Sequence, residues 1–477
     1  MFRVVGASAP IHAAISIPCF IARFRSRLPV PTNDSLWELA AVACRRRAVV
    51  SLIHRNPALD WNIMPLPIDQ LFQSLRRNGV ARFMEHFFAL YPDTHMKDMT
   101  VDTAGPGREI EIQGRRVINF GSDSFLGLDR DERVQDAIAQ GIRRWGTHNG
   151  GSRAFTSVRA NVEAEEKIAA WLGTEAALIY PSVTLANAGA IPGLVTRADI
   201  IVADEYAHNS IHEGIKIAKA NGTRTFTFRH NDPDHLEEVL IAARPYKHAL
   251  IAIDGVYSMS GQLPPLKDLQ RIAINNDAIL YVDDAHGTGV LGAHGRGTVY
   301  DTLGNYDNLF VIGSLSKAFS CLGGFIGCRA DFQRLLKIRS NSYIFGGPVA
   351  PCYLEGVSAV VDILMSDEYA EIKNRLEANV NQMVAGIANL GLIVLGGLTP
   401  IVSFLVGDEE ATLRAGWYLF ERGYYVQSVT FPAVPYHAGV IRIQVNANHD
   451  AGQIAGLLGA LKQLRETIPL PEARQAA

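Results

Sequence analysis

The chain has 477 residues, 48 % of them hydrophobic and 19 % charged, with a formal net charge of -3. This is the balance of a soluble globular protein of two or three domains with a large core. It provides no polyanion-binding surface, so no nucleic-acid partner is expected, and no apolar run approaches the roughly 20 residues that span a bilayer.

Residues 1–63 read as an N-terminal extension, unordered or translated upstream of a start near Met64. Arg3, Arg23, Arg25, Arg27, Arg45, Arg46, Arg47 and Arg55 face only Asp34 and Glu38 before Asp60. Arg-rich, acid-poor N-termini also serve as organelle transit peptides. The five cysteines (Cys19, Cys44, Cys321, Cys328, Cys352) are odd in number and lack metal-ligand or disulfide spacing. A reducing, cytoplasmic location and no metal are therefore expected.

Regular patterning begins near Ile68. Leu71–Phe88 has helical apolar spacing and predicts one helix of an N-terminal arm, residues 64–115. Gly114 and the run Arg115–Phe120 predict a turn and a short strand. Strands are then predicted at Ala176–Tyr180, Ile200–Ala203, Arg224–Phe228, Ala249–Asp254, Ile279–Asp283, Leu309–Gly313 and Phe325–Cys328. Helices include Val162–Leu172, Asp234–Ala242 and Leu266–Asn275. This alternation predicts an α/β fold, a mostly parallel sheet covered by helices, over a large domain at 116–362. The amphipathic stretch after Asp367 and the strand-like Val440–Val445 predict a smaller C-terminal α+β domain at 363–477. Binding residues in such a sheet belong at carboxyl ends of strands, where Asp254, Asp283 and Gly313 fall.

Gly287-Thr288-Gly289-Val290-Leu291-Gly292 fits the dinucleotide pattern GxGxxG. That pattern needs its glycines to open a helix directly after a strand. Here Asp284-Ala285-His286 intervenes and Gly295 and Gly297 follow closely. A helix is not expected to start there, and neither is nicotinamide binding.

Lys317 stands just past the run Asn308–Ile312, in Gly313-Ser314-Leu315-Ser316-Lys317, with Gly323-Gly324 following. Asp283 ends the preceding strand. A lysine and a carboxylate so placed suit pyridoxal 5'-phosphate (PLP): the lysine holds the cofactor covalently, and the aspartate keeps its ring nitrogen protonated. A lone lysine after a strand is ordinarily a solvated surface residue, so the assignment rests on the other segments that accompany it.

Those segments resemble the α-oxoamine synthases, PLP enzymes of fold type I that include glycine C-acyltransferase, 8-amino-7-oxononanoate synthase, 5-aminolevulinate synthase and serine palmitoyltransferase. The most specific is Val282–Gly297, VDDAHGTGVLGAHGRG, close to the family's DEAHSxGxxGxxGRG. Asp254–Gly261, Phe228–Asp232 and Arg442–His449 follow the family in the same order, so the resemblance runs from about Gly114 to Leu464.

The resemblance implies a role for each matching residue. Lys317 holds the cofactor and moves the Cα proton, Asp283 pairs with the ring nitrogen, and His208 stacks on the ring. His286 and Ser258 reach the phenolic oxygen. Ser182, Val183, Thr184 and Ser314 bind the phosphate, as do Gly346 and Gly347, in a segment that often reaches the neighbouring subunit. Arg442 and Ser122 take the amino-acid carboxylate. Val183 replaces a family glycine, Asp123 replaces an asparagine, and Phe345-Gly346-Gly347-Pro348 stands where many members have Ser-Thr. An acid at 123 would repel a substrate carboxylate unless turned away or paired.

The implied reaction joins a small amino acid (Gly, Ser or Ala) to an acyl thioester, carried by CoA or a carrier protein. Carbon dioxide is lost and an α-amino ketone is formed, in a homodimer. Tyr343–Phe345, Gly255–Met259 and Tyr424–Val426 lean towards the serine palmitoyltransferase branch. Two alternatives remain open: an aminotransferase on the same fold, against which the Val282–Gly297 segment argues, and a silent subunit of an active homologue, which would lack the lysine.

Overall fold

The computed structural model describes residues 66–90, 99–105 and 107–472. The expected extension, 1–63, lies outside the described residues. The chain divides into two compact units between Asn78 and Gly79, and each is described by itself. In the first, Pro67–Arg76 is a helix that starts on a proline at its first turn. In the second, Gly79–Leu90 is another helix. The single helix expected over Leu71–Phe88 is therefore two. Asn78 and Gly79 interrupt it, as glycine's backbone freedom makes it a poor residue with which to continue a helix.

After the helix Gly79–Leu90 the second unit has the antiparallel strands β1 (Val101–Ala104), β2 (Glu109–Ile112) and β3 (Arg115–Asn119). Seven further strands follow: β4 (Ala176–Tyr180), β5 (Ile200–Asp204), β6 (Arg224–Phe228), β7 (Ala249–Asp254), β8 (Ala278–Asp283), β9 (Leu309–Ser314) and β10 (Gly324–Cys328). They form one sheet in the order β4-β10-β9-β8-β7-β5-β6. All neighbours from β9 to β6 are parallel, and β10 runs antiparallel to both β4 and β9.

Helices cover both faces, which is why all these strands but the edge strand β6 read as near-continuous apolar runs. Successive side chains alternate between two cores. Leu178, Ile201, Ala203, Leu250, Tyr281 and Ile312 enter one, and Ile179, Ile200, Val202, Ile251, Val282 and Val311 the other. The last strands, β11 (Ile401–Gly407), β12 (Tyr424–Tyr425), β13 (Gln427–Val429) and β14 (Gly439–Gln444), lie towards the C-terminus. There β11-β14-β13 form an antiparallel sheet, and β12 joins β3 in parallel. The helices Glu368–Asn389, Glu409–Glu421 and Ala451–Thr467 accompany them.

The GxGxxG segment opens no helix, as expected. Gly289 and Gly292 have φ of +82° and +74°, and a single 3-10 turn, Ala293–Gly295, follows. The parallel register instead brings Asp254 level with Asp283 at one end of the sheet.

A buried ion pair anchors β4. Arg153 holds Glu165 through two bonds of 2.9 and 3.0 Å, and Glu165 also accepts the Ile179 N–H at 2.9 Å. Glu165→Ala would leave the guanidinium uncompensated and the strand N–H without an acceptor. The expected loss is about 3–5 kcal/mol, readable as a lower urea midpoint of the cofactor-free protein.

Candidate active site

Lys317 is presented by a turn closed at both ends. Leu315 N–H donates to Gly323 O at 2.9 Å, Cys321 N–H to Leu315 O at 2.8 Å, and Ser316 N–H to Ser314 Oγ at 3.2 Å. Gly323 has φ +123°, and a Cβ there would sit 3.0 Å from Tyr180 O, so the turn requires glycine. The Lys317 amine lies 3.5 Å from His286 Nδ1. Burial lowers the Lys317 pKa from the ordinary lysine value, against the opposing pull of Asp283. Burial also holds His286 neutral, with Lys317 adding to the effect.

Asp283 and His208 are fixed by one hydrogen-bond network. Tyr281 donates its hydroxyl to Asn187 Oδ1 at 2.8 Å, which sets the orientation of the amide. Asn187 Nδ2 then donates to Asp283 Oδ2 at 2.7 Å and to Ser210 Oγ at 2.8 Å. Ala285 N–H donates to Asp283 Oδ1 at 3.2 Å. Ser210 Oγ stands 2.7 Å from His208 Nδ1, which also accepts the Ser210 N–H at 3.2 Å. Since Nδ1 accepts an N–H, it carries no proton, and the Ser210 hydroxyl donates to it. His208 is held neutral by burial and caps the helix Asn209–Ala220. Its backbone N–H donates to Asp254 Oδ1 at 3.0 Å. Burial and the neighbouring Asp283 raise Asp254 well above the usual carboxylate range.

An anion cradle opens at the helix Val183–Leu194. Ser182 caps it, accepting the Leu185 N–H at 3.2 Å. Among the described residues, the Val183 and Thr184 N–H groups have no acceptor, and such first-turn donors suit a phosphate. Gly324 lies against this turn; a Cβ there would stand 2.6 Å from Val183 N. Ser314 is buried at the end of β9, its Oγ 3.1 Å from Ser316 Oγ. Gly346 lies beside Leu185 of the same helix, and Gly347 follows with φ +71°.

Arg442, buried on β14, has a partner on each of its three nitrogens. Its Nε donates to Ser258 O at 2.6 Å, Nη1 to Gln427 Oε1 at 2.6 Å, and Nη2 to Asp123 Oδ1 at 3.0 Å. Gln444 Nε2 donates to the same Asp123 oxygen at 2.9 Å. Ser258 meets Arg442 through its carbonyl, and Ser122 Oγ accepts the Ser124 N–H at 3.3 Å.

The predicted residues Lys317, Asp283, His208, His286 and Arg442 thus act on one another electrostatically in a single cluster. Sequence reasoning gave no role to Asn187, Ser210, Gln427 or Gln444. Asn187 had a visible signal, as the one amide in an otherwise apolar helix, VTLANAGAIPGL. Gln444 had one too, as the residue two beyond Arg442 on the same strand and so on the same face; Gln427 had none, because only the pairing of β13 with β14 sets it beside Arg442.

Residues 115–461 match the family described as aminotransferase class I and II. Over 373 residues the chain is 34 % identical to the 8-amino-7-oxononanoate synthase of Alkaliphilus oremlandii, covering 77 % of this chain and 92 % of that one. It is 32 % identical to the serine palmitoyltransferase of Bacteriovorax stolpii, covering 76 % and 86 %. The solved serine palmitoyltransferase of Sphingomonas wittichii superposes with a TM-score of 0.76 at 25 % identity, over 81 % of this chain and 98 % of that one.

Proposed function

The chain belongs to the α-oxoamine synthases within the class I and II aminotransferase family, and on that premise we propose how its residues carry the family reaction. It is a PLP-dependent acyltransferase that condenses a small amino acid with an acyl thioester, releasing carbon dioxide and an α-amino ketone. Relatives named 8-amino-7-oxononanoate synthase and serine palmitoyltransferase match at similar identity, so the lean towards the serine branch gains no advantage.

The residues fit the cofactor. Unpaired N–H groups at Val183 and Thr184 suit its phosphate, with Ser182, Ser314 and the Gly346-Gly347 backbone beside them or on adjoining segments. Asp283, already oriented by Asn187 and Ala285, suits a protonated ring nitrogen, and the neutral His208 ring suits stacking. When bound there, PLP supplies an electron sink for the charge left at the amino acid's Cα. Lys317 is the base for the Cα proton, since burial favours its neutral, proton-accepting form. His286, neutral beside Lys317, would donate a hydrogen bond to the cofactor's phenolic oxygen or to the thioester carbonyl, and Ser258 would support the same oxygen. Arg442 and Ser122 orient the substrate carboxylate. The convergence of Lys317, Asp283 and His208 in one buried cluster is the observation that carries this reading.

We place the large domain at 116–362 and the small one at 363–477, because the seven-stranded sheet lies wholly in the first range and β11-β14-β13 in the second. A homodimer is supported by Phe155 and Phe345, which are 89 % and 81 % exposed. Their segments are tied by a 2.8 Å bond from Ser152 Oγ to Ile344 O. Among the described residues, no helix is long and apolar enough to cross a membrane.

Absorption spectroscopy of the PLP-loaded protein tests the reading. Glycine, L-alanine or L-serine should shift the visible band, and an acyl-CoA should then be consumed with release of thiol and carbon dioxide. Arg442→Ala should raise the KM for the amino acid about tenfold or more, as a charge-assisted clamp is lost. Amino transfer to a 2-oxo acid without thioester use would point to an aminotransferase instead, and failure to bind PLP to a silent subunit.

A further inference from the structure

The arginine assigned to the substrate carboxylate already holds a carboxylate of the chain itself. A guanidinium has five N–H donors. Three of those on Arg442 are committed, to Ser258 O, Gln427 Oε1 and Asp123 Oδ1. The pair is sheltered on the arginine side, where the side chain is 5 % exposed, and open on the Asp123 side, at 29 %. Gln444 fixes the acid from a second direction at 2.9 Å and also reaches Gln427 Oε1 at 3.3 Å. Asp123 is therefore neither turned away nor loosely placed. It is locked onto the cation by residues of β13 and β14.

Two consequences follow for an incoming anion. The Asp123 charge offsets that of Arg442, so the site presents an almost neutral pair rather than a bare cation. Two Nη donors are also already spent, one on Gln427 and one on Asp123, which leaves the incoming carboxylate with fewer charge-assisted bonds than a free guanidinium would offer.

We propose that Asp123 is a specificity-determining residue: a built-in competitor that reduces how strongly the site selects its amino donor by the α-carboxylate. This rests on the assignment of Arg442 as the carboxylate clamp. The site then takes a small, singly anionic amino acid weakly, disfavours donors with a second acidic group, and separates an amino acid from its amide only modestly.

The test is the dissociation constant of L-alanine and of L-alaninamide, each read from the spectral change of the PLP-loaded protein. In Asp123→Asn the competing charge is gone while the side chain keeps its shape. L-Alanine should bind about tenfold more tightly, a change of about 1.4 kcal/mol, and L-alaninamide should be unchanged. Gln444→Glu adds a second acid beside Asp123 and should weaken L-alanine alone. Asp123→Ser repeats the first measurement should the asparagine variant not fold. An acid-to-amide ratio unmoved in the folded variants would overturn the proposal and leave Asp123 as a residue that merely orients Arg442. Absence of any spectral response to either ligand in the unsubstituted protein would instead fail the family assignment of the site.

Discussion

Lys317→Ala is expected to abolish turnover while leaving the cofactor-free fold at least as stable as the parent. Loss of the proton transfer alone costs roughly 10²–10⁴-fold, and the covalent hold on the cofactor goes with it, so the visible band should also change. The stability side follows from the lowered Lys317 pKa. A group with a depressed folded-state pKa binds protons less readily in the folded state than in the unfolded chain. For a lysine this means that burying the charged form costs stability at pH values below the folded pKa. The cost fades as pH rises towards the ordinary lysine value. Alanine removes that cost. At neutral pH the cofactor-free variant should therefore melt no lower than the parent, and the difference should shrink in alkali. A variant that lost both activity and melting temperature would show that Lys317 supports the fold rather than the chemistry.

The central sheet was legible because its strands other than the edge strand β6 are buried on both faces, so their apolar runs needed no partner to be recognised. The helix Leu266–Asn275 falls where its spacing predicted, and Asp254 and Asp283 end their strands as expected. What the sequence could not carry was pairing across distance. Asp123 and Arg442 are 319 residues apart, and nothing local to either announces the other. The sequence therefore left open whether Asp123 is turned away or paired, and the structure pairs it with Arg442. The break at Asn78–Gly79 was missed for the opposite reason: the apolar spacing continues through it, and only the local preference of glycine argues for two helices.

The two carboxylates that end β7 and β8 are level with each other, and their environments predict different fates for them. Asp283 accepts Asn187 Nδ2 on one oxygen and Ala285 N–H on the other. Two donors, one on each oxygen, hold this carboxylate in a fixed orientation, as pairing with a protonated ring nitrogen would need. Asp283→Asn removes that charge and can keep only one of the two acceptors. Turnover is expected to fall by roughly 10²–10³-fold, the scale of losing one preorganised electrostatic contact in a dry site.

Among the described residues Asp254 has a single donor, the His208 N–H, and burial beside Asp283 raises its pKa. Its proton is bound more tightly in the folded than in the unfolded state. Its contribution to stability is therefore fully present below the ordinary carboxylate pKa and is lost as pH rises through the elevated one. Asp254→Asn mimics the protonated form and can still accept the His208 N–H through its amide oxygen. Cofactor-free Asp254→Asn should accordingly lose less stability than the parent between acid and neutral pH. Its turnover should fall by less than about tenfold, because no charge that faces the cofactor is removed. Turnover of the two variants, together with melting curves across that pH range, would separate the roles, and equal losses of turnover would mean that the carboxylates act as one unit.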